Sequence, residues 1–186
     1  DISAEKIQVG GGKTLIEDMR IDDGMSELNL PLFMMSYTCP QDFSDFMNKV
    51  KLDGRISKST VDFRTISYFA PQIKGNRLRL SVEGTISGLV SDFNVSGVKV
   101  VSQAGGFSGT IDGNMSGLPD IDRTRLDMKA RNFNVTAKGV GKFVSEWMRD
   151  GELDLDNYAP GTIFMLRANA KGLLNRLEIK ADMYSF

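Results

Sequence analysis

Residues Arg77–Ile86 read RLRLSVEGTI. Leu78, Leu80, Val82, Gly84 and Ile86 fall on one side of the alternation, and Arg79, Ser81, Glu83 and Thr85 on the other. A strict period of two marks a strand with one apolar and one wet face, because successive Cβ atoms point to opposite sides. The pattern returns in Phe107–Gly117 (FSGTIDGNMSG), where Phe107, Ile111 and Met115 oppose Ser108, Thr110, Asp112 and Asn114. Arg123–Ala130 carries Leu126, Met128 and Ala130 in phase, and Arg176–Met183 carries Leu177, Ile179, Ala181 and Met183. The chain is expected to be mainly β.

These strands share a motif. GTISGLVSDF from Gly84, GNMSGLPDID from Gly113 and ANAKGLLNRL from Ala168 each end an alternating run in Gly-Leu, then turn. A weaker copy starts at Gly54 (GRISKSTVDF). The steps from Gly54 to Gly84 to Gly113 are 30 and 29 residues, and Ala168 lies 55 further on, near two such steps. A period of 20–50 residues points to an array whose units bury their apolar faces only against one another. The approximate units are 50–77, 78–106, 107–160 and 161–186. Asp1 opens in the middle of a polar–apolar pattern, so residues 1–186 are expected to be one domain cut from a larger array. Gly84, Gly109 and Gly113 stand in phase with the apolar residues, where a missing side chain permits sharp coiling or close approach.

The flanks fit the same scheme. Lys6–Ser36 reads as three strands, at about 6–9, 13–20 and 25–35, joined by Gly10-Gly11-Gly12 and Asp22-Asp23-Gly24. Helical signals are few. Lys138–Arg149 spaces Val140, Phe143, Val144, Trp147 and Met148 along one helical face and stops at Asp150-Gly151. Asp42–Lys49, opened by Pro40, places Phe43, Phe46 and Met47 together, and Thr65–Phe69 suits a single turn before Ala70-Pro71. Each apolar stripe is expected to pack on the sheet as a lid.

Composition excludes whole classes of function. The 186 residues include no His and one Cys, so His triads, His metal sites, Cys-rich zinc sites and an intrachain disulfide are all ruled out. The 23 basic side chains against 24 acidic ones, with no Lys/Arg cluster in the sequence, do not give the footprint of a nucleic-acid binder. No run approaches the roughly 18–20 apolar residues of a membrane helix. Ten Met and eleven Phe suit surfaces that accept variable apolar shapes, although they also fill ordinary cores.

The motifs that suggest chemistry are weak. Gly10-Gly11-Gly12-Lys13-Thr14 lacks the earlier glycine of a phosphate loop, since position 7 is Ile, and reads as a hairpin turn. Asp150, Glu152, Asp154 and Asp156 alternate along an expected strand without a glycine turn to gather them around calcium, so a solvated face is the better reading. A glycan hydrolase using Asp154 and Asp156 ranks last, because no acid/base pair is placed. Asp120 and Asp122 read as turn residues. Asn94, Asn114 and Asn134 satisfy the glycosylation triplet, a pattern that arises readily in Asn/Ser-rich strands. No catalytic residue, metal ligand or cofactor is assigned.

The segments SKSTVDFRTISYFAP (57–71), SVEGTISGL (81–89) and GLPDID (117–122) resemble the TamB-like proteins, within the wider AsmA-like group of repeating β-groove proteins of Gram-negative envelopes. The resemblance covers residues 40–150 best. It implies an elongated, curled antiparallel sheet forming an open groove, with one or two short amphipathic helices. It further implies a periplasmic segment of a parent protein anchored in the inner membrane, conducting phospholipid towards the outer membrane. No catalytic residues come with the family. An outer-membrane barrel protein is the other partner implied, and engagement of barrel strands at a sheet edge is the alternative function.

The residue pattern is compatible with a groove. A sheet with one apolar face must cover that face, and acyl chains can do so at about 0.8 kcal/mol per buried methylene. The expected lining is Leu78, Leu80, Val82, Ile86, Phe107, Ile111, Met115, Leu126 and Met128.

Overall fold

A computed structural model of the chain describes residues 1–68, 75, 77–139, 162–174 and 176–185. The period-two segments become strands: β1 (Ile2–Ser3), β2 (Lys6–Gly10), β3 (Lys13–Asp22), β4 (Glu27–Ser36), β5 (Lys51–Asp62), β6 (Arg79–Leu89), β7 (Asp92–Ser102), β8 (Phe107–Ser116), β9 (Arg125–Thr136), β10 (Ile163–Leu173) and β11 (Arg176–Ser185). They form one eleven-stranded sheet in which β3 to β11 follow chain order. The short strands β1 and β2 pair successive parts of β3 as one interrupted edge. Every ladder is antiparallel. The sheet stays open, because β11 pairs with β10 and the β1–β2 edge with β3, and among the described residues no ladder joins the two.

The Gly-Leu motifs occupy equivalent places. Gly88, Gly117 and Gly172 end β6, β8 and β10 with φ of 116°, 100° and 132°, a region glycine enters without strain. The Gly54 copy lies in β5, a strand of opposite direction. A second periodicity runs through the other strands. Asp18, Lys58, Gly97 and Asn132 have positive φ in the middle of β3, β5, β7 and β9. Register shifts interrupt each ladder from β4/β5 to β9/β10. A bulge bends its strand and increases the local twist, so bulges aligned across neighbouring strands curl the sheet along one line.

Helical structure is short. Pro40–Asp45 forms a 3-10 turn, followed by α1 (Phe46–Lys49). Tyr37, Phe43 and Phe46 make successive ring contacts at 4.8 and 6.1 Å. The Ser91 N–H donates to the Met47 carbonyl, so this segment packs at the β6–β7 turn rather than lying across the sheet as a lid. The turn expected at Thr65–Phe69 forms earlier, as α2 (Phe63–Ile66), because Asp62 caps it by accepting from the Arg64 N–H at 2.9 Å. The helix expected at 138–149 falls outside the described residues from position 140 onward, as do Asp150, Glu152, Asp154 and Asp156. Asp120 acts as a turn residue: its carbonyl accepts from Thr124 Oγ1 at 2.8 Å and its Oδ1 from the Asp122 N–H at 3.2 Å.

A polar network ties the β3–β4 turn to the end of β5. Asp62, 1% exposed, accepts from Arg64 Nε at 2.9 Å and Nη2 at 2.6 Å, while its N–H donates to Ser26 Oγ at 2.9 Å. Ser26 Oγ donates to Thr65 Oγ1, which donates to Asp23 Oδ2, each at 2.7 Å. The Arg64 hydrogen bonds hold the Asp62 carboxyl below its ordinary range, and backbone donation from Ser26 does the same for Asp23. Groups depressed in the folded state stabilise it above their unfolded pKa near 4 and lose that contribution as pH falls through the folded values. Melting temperature is therefore expected to stay level from pH 7 to about 5 and to drop below about pH 4. Asp62→Ala should cost about 2–3 kcal/mol in denaturant unfolding at pH 7, since it strands a capped turn and a paired arginine.

Candidate functional site

The site is a face rather than a pocket. Pairing partners in a sheet point the same way, so the registers show which side chains form rows running across the strands. One row passes from Ile7 to Ile16, Phe33, Gly54 and Ile86. It continues through Val95, Gly113, Met128 and Ala170 to Ile179. Every residue along it is apolar from one edge of the sheet to the other. The next row joins Val9, Thr14, Met35, Leu52 and Gly88, then Phe93, Met115, Leu126, Gly172 and Leu177, with Thr14 its one hydroxyl. With neighbouring strands about 4.8 Å apart, nine steps give a track of roughly 43 Å.

All nine expected lining residues lie on this face. Ile86 and Met128 belong to the first row, and Met115 and Leu126 to the second. Ile111 pairs with Val98 and Ala130, Val82 with Val100, and Phe107 with Val135. Leu80 pairs with Val61 in β5, and Leu78 continues the phase just before β6. Leu78 is buried, whereas the other eight are half-buried. Half-burial is what an open, concave apolar surface gives. A closed sandwich core would bury most of these residues fully, yet among the described residues only Leu30, Val50, Leu78, Val100, Val135, Ala137 and Phe164 are buried apolar side chains.

Glycines set the floor. A Cβ at Gly84 would stand 2.6 Å from Val98 Cα, and one at Gly113 would stand 2.7 Å from Met128 Sδ. A Cβ on Gly109 would strike the ring of Phe133, which stacks on Phe107 at 5.7 Å and 14°. Close backbone approach at Gly84 and Gly113, and the Phe133 ring over Gly109, thus leave no room for a side chain at these positions. Where the two rows meet the β6–β7 turn there is an apolar cavity of about 160 Å³, with Leu52, Ile86, Gly88 and Phe93 in its wall.

The opposite face is wet and ionic. Arg79, Glu83, Asp92, Lys99, Asp127 and Lys129 are exposed along it. Asp112 accepts from the Gly97 N–H at 2.9 Å and from Arg131 Nε at 3.0 Å, pinning the bulge of β7 to the strand beside it. These contacts, the Gly97 bond first, hold the Asp112 carboxyl below its usual range. The Asn114 side-chain amide donates to Asp92 Oδ1, the Phe93 carbonyl and Asn94 Oδ1, so that triplet asparagine serves the sheet.

No family model, curated protein or solved structure matches the chain.

Ile16, Phe33, Phe93, Val95, Val98, Val100, Phe133 and Val135 also lie on the apolar face but were not among the expected lining residues. For the six in β7 and β9, Phe93 to Val100 and Phe133 to Val135, the alternation is visible only when the phase is allowed to slip by one at Gly97 and at Asn132. Leu32 goes the other way: it pairs with Glu17 and Arg55 on the wet face and is 50% exposed.

Proposed function

We propose that this chain is a non-enzymatic, periplasmic segment of a TamB-like or AsmA-like protein whose apolar groove conducts phospholipid between the inner and outer membranes of a Gram-negative cell. The observation that carries this reading is the half-covered apolar row running unbroken from Ile7 to Ile179. A bilayer core of roughly 30 Å leaves each acyl chain about 15 Å, so a track of roughly 43 Å holds more than one chain end to end. Acyl chains sliding along rows of Ile, Val, Met and Gly meet no charged side chain, while the headgroup stays in water at the open side. Among the described residues no polar pocket converges on this face, which suits cargo gripped by its tails. In the parent protein, anchored in the inner membrane, the groove would lie along the lipid's route.

Native mass spectrometry of the detergent-free chain tests the reading. Co-purified phospholipid, released by solvent extraction, is expected. A chain that emerges lipid-free and fails to take up phosphatidylethanolamine from vesicles would sink the proposal.

One observation favours a second reading, in which the chain is a scaffold that engages outer-membrane barrel strands by strand addition. Both edges end in exposed apolar residues, Ile7 (61%) and Val9 (72%) on β2 and Ile179 (63%) on β11. Such edges are templates for another strand. Proline at Glu178 and, separately, at Ile179 covers both directions of the β11 N–H groups, so one of the two variants blocks an added strand. Peptide capture lost there, with lipid uptake intact, would support the scaffold reading.

A further inference from the structure

The wet face carries a feature that the groove does not use. Strands β9 and β10 together hold five basic side chains, Arg125, Lys129, Arg131, Arg167 and Lys171, against one acid, Asp127. Three of the five lie within Arg125–Arg131, and strand pairing sets Arg167 and Lys171 beside them in a chain that is nearly neutral overall, with 23 basic and 24 acidic residues. Within this patch the two ladders of β9 slip near Asn132, whose φ is 50°. The slip opens a hollow of about 360 Å³ lined by Thr110, Arg131, Asn132 and Arg167.

The donors in this hollow are unevenly committed. Arg131 gives Nε and Nη2 to Asp112, whose other oxygen already takes the Gly97 N–H. Its Nη1 makes no hydrogen bond among the described residues. Arg167 is exposed and takes part in no ion pair among the described residues, although Asp182 is its ladder partner. Thr110 adds a hydroxyl and Asn132 an amide at the rim. Two guanidinium groups, one spare fork and two neutral donors around an open concavity suit a compact anion with several acceptor oxygens. A planar carboxylate uses one fork, whereas a tetrahedral phosphate can take donors from several directions.

We propose that the hollow formed by Thr110, Arg131, Asn132 and Arg167 binds the oxygens of a phosphate mono- or diester. The site lies on the face opposite the groove and stands whether or not acyl chains occupy that groove. The phosphate comes either from a lipid headgroup at an anionic membrane surface or from a free phosphate compound.

Titration calorimetry of the 186-residue chain with inorganic phosphate, alongside co-sedimentation with phosphatidylglycerol and phosphatidylcholine vesicles, tests the site. Wild type is expected to bind phosphate at millimolar concentration. Arg167→Ala should weaken that binding by about tenfold or more, and Arg167→Lys by less, because a point charge replaces the fork. Neither variant should shift the melting temperature, since Arg167 is exposed. Vesicle binding that prefers phosphatidylglycerol and falls in Arg167→Ala assigns the site to headgroups. Phosphate binding without that preference assigns it to a free phosphate compound. The proposal is overturned if wild type shows neither phosphate heat nor vesicle preference, or if Arg167→Ala binds phosphate as tightly as wild type. Lipid co-purification, measured on the same samples, reports on the groove separately.

Discussion

Ile86→Asp combined with Met128→Asp is expected to lower co-purified phospholipid at least tenfold while leaving the far-ultraviolet circular dichroism unchanged. Both residues lie on the uninterrupted apolar row, separated by Val95 and Gly113. Each is half-buried, so an introduced carboxylate still reaches water and the fold survives. An acyl chain crossing the row does not escape so easily. Two methylenes forced off the surface at each carboxylate cost about 1.6 kcal/mol, and 1.4 kcal/mol is already a factor of ten. Glu83→Lys with Lys129→Glu, on the wet face of the same strands, serves as the control and should leave lipid content alone. Equal lipid loss in both double variants would mean that the apolar row is not where the lipid sits.

Gly84→Val is expected to destabilise the chain by about 3 kcal/mol or more, the largest single-residue effect foreseen. The obstruction is backbone: a Cβ at position 84 would lie 2.6 Å from Val98 Cα and 3.0 Å from its nitrogen. No side-chain rotation relieves such a clash, so β6 and β7 must separate at the bulge where their register shifts. Glu83→Gln, one residue before it on the exposed face, should stay within about 0.5 kcal/mol of wild type. Urea unfolding of the two variants measures the difference. A Gly84→Val chain as stable as wild type would show that the close approach of these strands is not required.

Much of the sheet was legible because period-two alternation survives wherever a strand is regular. β6 and β8 are read directly from Leu78–Ile86 and Phe107–Met115, and the N-terminal hairpins from their Gly-rich turns. Legibility ends at the bulges. In β7 the pair Phe93 and Val95 has one phase and the pair Val98 and Val100 the other, with Gly97 between them at φ 57°. A fixed-phase reading cancels these pairs, although structurally they line one face. The same slip separates Met128 and Ala130 from Phe133 and Val135 in β9. One extra residue in a strand reverses the face of everything beyond it, which is why half of the groove was hidden. The basic hollow was hidden for a different reason: Arg131 and Arg167 belong to separate strands and meet only through the β9/β10 ladder.

A phosphatidylethanolamine carrying a photoreactive diazirine in its acyl chain gives the most direct test. After uptake and irradiation, peptide mapping is predicted to place the label on Phe33, Ile86, Val95 and Met128, the side chains of the apolar row. Label confined to Arg55, Glu83 and Lys129 on the wet face, or no label at all on a chain that takes up the lipid, would contradict it.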